Sequence, residues 1–131
     1  MLAIVAVVAV VVVVDRAAEE VDEVRTRTVD GIETNSDNTE NPPPRDVELE
    51  RCFTDDVGDV AAEGTATNNT SETSSYTIEV AFDSGGRRIT TGSAFLAGVA
   101  PGETATWQAI TATDDPGEFT CRLRLVDRFA S

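Results

Sequence analysis

The longest alternating stretch of the chain, residues 75–96, predicts a β-hairpin. In its first half, apolar residues occupy every second position, with polar or small residues between them: Tyr76, Ile78, Val80 and Phe82. This period of two is typical of a strand with one buried face. The segment 83–86 (D-S-G-G) follows, and its glycines permit the positive φ angles of a tight reversal. Residues 89–96 then resume as the second strand.

Shorter strands are predicted on both sides of this hairpin, at 47–53, 60–68, 104–113 and 118–127. Turns rich in Gly, Pro and Asp separate them, and Pro101-Gly102 suits the two central positions of one such turn. No helical periodicity lies between the strands. We therefore expect an all-β domain, an antiparallel immunoglobulin-like β-sandwich of six or seven strands over residues 47–131.

The chain opens with an uninterrupted apolar run, Leu2 to Val14, that ends at the charged residue Asp15. A membrane-spanning helix needs about 20 apolar residues. We therefore expect residues 1–14 to be the end of a transmembrane or signal-anchor segment whose true start lies upstream of Met1. The alternative is a buried, valine-rich strand, although the run lacks alternation. Because acidic residues follow the run and no cationic residue precedes it, the rest of the chain is expected outside the membrane.

Residues 15–46 have the composition of a linker. They are acidic and polar, carry few large apolar side chains, and end in a proline triplet at 42–44. Such a segment buries too little apolar surface to offset the entropy of ordering, which predicts disorder. The expected organisation is a membrane segment (1–14), an acidic disordered linker (15–46) and a β-sandwich domain (47–131).

Charge and composition narrow the possible function classes. The chain carries 10 Arg and no Lys against 24 acidic residues, with no His, for a net charge of −14. Such a surface repels phosphate backbones, so we expect no nucleic-acid partner. The absence of His removes the commonest general base and metal ligand at neutral pH. We expect a protein that is not an enzyme and needs no cofactor.

The two cysteines, Cys52 and Cys121, are predicted to form a disulfide, because an even pair in an exported chain usually does. Alternation puts Cys121 on the inward face of the last strand with Phe119, Leu123 and Leu125. In the first strand, alternation instead places Cys52 on the face opposite to Val47, Leu49 and Phe53. The bond therefore requires the first strand to carry a bulge, to twist outward or to end at residue 51.

Arg87 and Arg88, at the predicted hairpin tip, are the best candidates for a binding site. They form the basic spot of an otherwise acidic domain, and we expect that they could dock an anionic partner such as a cell-wall polymer. The large aromatic residues Trp107 and Tyr76 are expected to fill the core rather than to contact a ligand.

Acidic side chains cluster in two predicted loops, with Asp55, Asp56 and Asp59 in one and Asp114 and Asp115 in the other. Ca²⁺ prefers oxygen ligands, but neither loop has the D-x-D-x-D-G spacing of a known calcium loop, and Asp also favours turns. We therefore expect no metal site. Paired carboxylates could also serve glycoside hydrolysis, although a domain of this size leaves little room for a cleft.

Four segments carry a family resemblance: GTATN (64–68), YTIEVAFDSGG (76–86), VAPGETATW (99–107) and CRLRLVDR (121–128). Together they resemble the FxLYD family, small immunoglobulin-like domains on secreted or membrane-anchored bacterial and archaeal proteins. The resemblance covers about residues 50–128. Where the name-giving motif has Tyr before Asp, this sequence has Phe82. The resemblance implies an extracytoplasmic tethered module and carries over no catalytic residues.

The function expected from the sequence is that of a non-enzymatic, membrane-tethered β-sandwich outside the cell. Its N-terminal helix would contact the membrane, and its domain would contact an envelope protein or a surface polymer. Two alternatives stay open: a structural accessory that acts in cis on a membrane neighbour, and a calcium-dependent surface module.

Overall fold

The computed structural model describes residues 27–36, 38, 40–114 and 116–130. The predicted membrane segment (1–14) and the first part of the predicted linker (15–26) lie outside these residues. Within the described part of the chain, no helix has the length and apolar character to cross a membrane.

Two β-sheets make up the described part of the chain. Their strands are β1 (Arg27–Val29), β2 (Ile32–Thr34), β3 (Val47–Thr54), β4 (Val60–Thr67), β5 (Ser74–Ser84), β6 (Arg87–Val99), β7 (Thr104–Thr111) and β8 (Thr120–Ala130). One sheet has the order β1-β2-β8-β5-β6 and the other the order β3-β4-β7. The predicted all-β architecture is confirmed, and β3 to β8 lie where alternation placed strands.

In the second half of the predicted linker, the described residues (27–36, 38 and 40–46) include two strands and a 3₁₀ turn where disorder was predicted, so regular structure begins before Val47. β1 and β2 form a hairpin, and β2 joins the five-stranded sheet beside β8. The β2–β8 pairing is parallel, whereas every pairing among β3 to β8 is antiparallel, as predicted for residues 47–131. A 3₁₀ turn over Pro43–Asp46, with both prolines buried, leads into β3. Polar contacts, described below, hold this segment together with the burial of the prolines and the packing of Ile32 against the core.

The central hairpin is confirmed as β5 and β6. Ser84 pairs with Arg87 across a two-residue turn. Both turn glycines have positive φ, 59° at Gly85 and 80° at Gly86. Such a turn has the twist that suits a tight hairpin and strongly favours glycine, which explains the double glycine at this position.

A bulge in β3 resolves the phase of Cys52. The register against β4 shifts between Leu49 and Arg51 and leaves Glu50 as the extra residue. Cys52 therefore shares the inward face with Leu49, whereas Phe53 faces outward, contrary to the prediction. Cys52 and Cys121 form the predicted disulfide, with their Cα atoms 6.1 Å apart. The bond joins β3 of one sheet to β8 of the other.

A second bulge, at Arg124 of β8, moves Leu125 away from the core. The register of β8 against β5 shifts by one residue here, so the alternation beyond Arg124 is reversed. Val126 is fully buried and takes the inward position that was predicted for Leu125. The earlier residues of the predicted inward face do pack against the core: Phe119, Cys121 and Leu123.

The core lies between the two sheets and includes the aromatic residues expected there. Tyr76 is fully buried, and Trp107 is 4% exposed. The indole N–H of Trp107 donates a hydrogen bond to the carbonyl oxygen of Thr65 at 3.0 Å. Beside this ring, Gly64 has no room for a side chain, since a Cβ there would overlap the backbone carbonyl of Glu48 and lie 2.9 Å from the indole.

Replacing Gly64 by Ala is expected to destabilise the fold. The added methyl group meets backbone and a packed ring, and overpacking of this kind costs about 1–3 kcal/mol. Urea unfolding followed by the fluorescence of Trp107 measures the change in the free energy of unfolding. Thr65→Ala, on the outward face of the same strand, is the matched control and should change stability by less than about 0.5 kcal/mol. Equal stability of the two variants would contradict the assigned close contact.

Candidate interaction site

Arg87 and Arg88 stand exposed at the start of β6, directly after the hairpin turn. The other arginines with described side chains each contact a carboxylate: Arg45, Arg51, Arg122, Arg124 and Arg128. Within the described ranges, neither Arg87 nor Arg88 has a carboxylate within ion-pair distance. The hairpin tip therefore presents two guanidinium groups that no carboxylate of the described residues neutralises.

The surroundings of the tip are fixed by contacts between strands. Asp83 lies opposite Arg88 in the strand register, and its carboxylate accepts a hydrogen bond from Arg122 Nε at 3.2 Å. The Ser84 hydroxyl donates to the carbonyl oxygen of Glu118 at 2.8 Å, which holds the loop before β8 against the hairpin. A shallow cleft beside the tip is lined by segments 83–86 and 117–120 and by the disulfide-bearing end of β3.

The chemistry available at the tip is recognition of an anion. A guanidinium group carries five N–H donors in a planar fork that matches carboxylate, sulfate and phosphate oxygens. Two such forks on adjacent residues of a tightly held hairpin are positioned by backbone rather than by a flexible loop. The structure places Arg87 and Arg88 at the hairpin tip, where the sequence predicted them, and it shows the pairing of the other arginines, which the sequence did not.

In the first of the two acidic loops, Asp55 has a local structural role. Asp55 Oδ1 accepts hydrogen bonds from the backbone N–H groups of Val57 and Asp59, at 3.1 and 2.9 Å, the usual role of Asp in a turn. Asp114 is exposed, and Asp115 lies outside the described residues. Across the described ranges, no three acidic, His or Cys side chains stand close enough together to hold a metal ion.

A buried polar cluster around Asp46 is the main feature that the sequence did not reveal. The Asp46 side chain is 1% exposed and that of Arg128 is 8% exposed, and Arg128 Nη1 donates to Asp46 at 2.8 Å. Tyr76 and Asn69 donate to the same carboxylate at 2.6 and 2.8 Å. Burial, together with the hydrogen bond to Asp46, raises the pKa of Tyr76, so the phenol stays protonated and remains a donor.

Further polar contacts fasten residues 27–46 to β8. Arg128 Nη2 donates to the carbonyl oxygen of Asn41 at 2.8 Å. The Asn35 side chain exchanges two hydrogen bonds with the backbone of Arg128, at 3.1 and 3.2 Å. Nearer the middle of β8, Arg124 bridges Glu33 of β2 and Glu79 of β5 at 2.8 Å each. These bonds add to the limited apolar burial of the segment, which comes from its prolines and Ile32.

Asp127 sits beside this interface with an incomplete set of partners. Its Oδ1 atom is buried and accepts no hydrogen bond from the described residues. Burial raises the pKa of the Asp127 carboxyl above its ordinary value, the backbone of Asn35 opposes that shift, and the charge of Glu33 adds to it. The ionised carboxylate is therefore less favourable in the folded chain than in the unfolded one.

Removal of the Asp46 carboxylate is expected to release the N-terminal segment. Asp46→Ala leaves Arg128 buried without its partner, and such a loss costs about 3–5 kcal/mol. Tyr76→Phe removes only one hydrogen bond to a charged group and should cost about 1.5–3 kcal/mol.

Hydrogen exchange measures the release of the segment. Asp46→Ala should speed the exchange of backbone amides in residues 32–36, whereas Arg45→Ala, which removes an exposed neighbouring ion pair, should not. Equal protection of both variants would contradict the anchoring role.

Asp127→Asn is expected to stabilise the protein at neutral pH. An acid whose pKa is raised in the folded state destabilises that state as the pH rises from the unfolded-state pKa to the folded-state pKa. Over this pH range the unfolded chain loses the proton while the folded chain still binds it. The amide cannot ionise, so the midpoint of urea unfolding should rise at about pH 7 and approach the wild-type midpoint at about pH 3.5. A gain that is the same at both pH values would contradict the assigned ionisation penalty.

No family model, curated protein or solved structure matches this chain. The FxLYD resemblance therefore stays a prediction. The function proposed below rests on the surfaces that the described residues present.

Proposed function

We propose that this chain is a non-enzymatic binding module, tethered outside the cell by its N-terminal segment, that docks an anionic envelope polymer on the tip of its central hairpin. The observation that carries the proposal is the pair of exposed guanidinium groups at Arg87 and Arg88, which form no ion pair with any described residue. The proposed fold is immunoglobulin-like, which the disulfide between strands of opposite sheets supports, and the proposed family is FxLYD.

The direction of the hairpin supports this role. β1 lies beside β2, with Arg27 opposite Thr34, and β2 runs parallel to β8. The described chain thus begins near the end of the sheet where Thr77 pairs with Asp127. Seven strand residues separate Thr77 from Ser84 at the tip, a distance of about 23 Å. A tether attached at the N-terminal end therefore leaves the arginines at the far end of the domain.

The net charge sets the conditions under which the tip can act. At low ionic strength, the repulsion between a chain of net charge −14 and a polyanion extends well beyond the hairpin tip, so carboxylates across the domain oppose binding. At about 0.15 M salt, the Debye length falls to about 8 Å, so distant carboxylates are screened while direct Arg–anion contacts persist. Binding should therefore be stronger at moderate salt than at very low salt, the opposite of the trend for a basic protein.

Binding to defined polymers tests the proposal. The full chain, in a neutral detergent, is passed over immobilised dextran sulfate, polygalacturonate and uncharged dextran at about 0.15 M salt. We expect retention on the anionic polymers only. Arg87→Ala with Arg88→Ala should weaken binding about tenfold or more, a change of about 1.4 kcal/mol.

The control for this test carries the same change in charge elsewhere. Ser71→Asp with Thr73→Asp also adds two negative units, in the exposed turn before β5. Its binding should stay within about twofold of the wild type, because distant charges are screened. Equal loss in both variants would show a general charge effect, and unchanged binding of the arginine variant would remove the tip as the site.

A further inference from the structure

β7 is an edge strand without the features that usually protect an edge. It pairs with β4 on one side, through an unbroken register from Thr104 to Thr111, and the described residues place no strand on its other side. About half of its backbone N–H and C=O groups therefore point away from the sheet. Its outward side chains are exposed and uncharged: Thr104, Thr106, Gln108 and Ile110. Such an edge is a template for pairing with another chain.

The opposite edge of the same sheet shows the contrast. β3 carries charged residues at Glu48, Glu50 and Arg51, and the bulge at Glu50 breaks its register. Charges and bulges are the devices that keep edge strands from pairing. In the five-stranded sheet, β6 is likewise interrupted, with an extra residue near each end of its register against β5. β7 has neither charge nor bulge.

The charge distribution along the chain singles out the same side of the molecule. Charged residues are 26% of the sequence, yet Glu103 is the sole charged residue between Arg88 and Asp114. The Glu103 carboxylate accepts the backbone N–H of Ala100 at 2.8 Å within the turn. The segment 89–113, which spans most of β6 and all of β7, is therefore a neutral strip on a strongly acidic chain.

We infer that β7 pairs with β7 of a second copy of this chain, antiparallel across a two-fold axis, to make one continuous sheet. A second copy fits because the neutral strip is where two chains of net charge −14 can approach without like-charge contact. The outward side chains suit this partner, since hydroxyl and amide groups both donate and accept and so complement themselves. A partner that recognises opposite charge would find a single charged residue in this segment, Glu103 in the turn before β7.

The dimensions of the strip also fit a dimer. The strand of eight residues is about 26 Å long, and the edge of a two-layer sandwich with its side chains is about 20 Å wide. Each copy would contribute about 500–600 Å², which is at the lower end of specific interfaces. Ile110 on β7, 46% exposed, adds apolar area to the strip.

The oligomeric state of the full chain tests this inference. Sedimentation equilibrium in a neutral, density-matched detergent should show a monomer–dimer equilibrium that strengthens from about 0.15 to 1 M salt, as screening weakens repulsion. Gln108→Lys puts an edge-protecting charge on β7 and should raise the dimer dissociation constant about tenfold or more. Thr106→Lys should act in the same way.

Thr65→Lys is the matched control, because Thr65 pairs with Thr106 on the same sheet face but lies on β4, one strand in from the edge. It should leave the dissociation constant within about twofold of the wild type. Unchanged urea midpoints establish that all variants are folded. A wild-type monomer at every concentration would overturn the inference, as would a dimer indifferent to both edge lysines or one disrupted equally by Thr65→Lys.

Discussion

The buried ion pair between Asp46 and Arg128 is the constraint on which the end of the sandwich depends. Two charges removed from water are costly unless they are paired and their remaining hydrogen-bonding groups are satisfied. Here Tyr76 and Asn69 donate hydrogen bonds to the Asp46 carboxylate, and the carbonyl oxygen of Asn41 accepts a hydrogen bond from the Arg128 guanidinium group. These groups can be satisfied together only if the turn before β3 closes over the end of β8. The cluster thus specifies one position for a segment that has little apolar surface.

The two ends of the sandwich are secured by different chemistry. At one end the polar cluster holds the N-terminal segment against β8, and at the other the Cys52–Cys121 disulfide joins the two sheets beside the hairpin tip. A covalent link of this kind restricts the unfolded chain and so favours the folded one. Between these two fixed ends, the hairpin is held on a scaffold with little freedom. The backbone that carries its arginines is therefore held in place, which lowers the backbone part of the entropy cost of binding.

Alternation along the sequence predicted the six strands that line the core, the hairpin turn and the location of Arg87 and Arg88. It failed at Glu50 and Arg124, because a bulge reverses the phase of every later residue and depends on backbone contacts in the partner strand. It also failed for the described residues between 27 and 46. Their position depends on contacts with residues far along the chain, such as the contact of Glu33 with Arg124. Periodicity reports apolar burial, so a segment held by polar bonds looks disordered in the sequence.

The symmetry inferred for β7 bears on the role proposed for the tip. Antiparallel pairing of β7 sets the strands of the two copies in opposite directions, and the two sheets of a sandwich run within about 30° of each other. The two hairpin tips of a dimer would therefore point away from each other. Avidity requires a geometry in which both sites can bind at the same time. A dimer with opposed anion sites cannot bind one short stretch of polymer with both sites. It can instead link two separate polymer molecules. If the N-terminal segment tethers both copies to one membrane, their strands must lie along that membrane. Pairing would thus change both the valency and the direction of the proposed site.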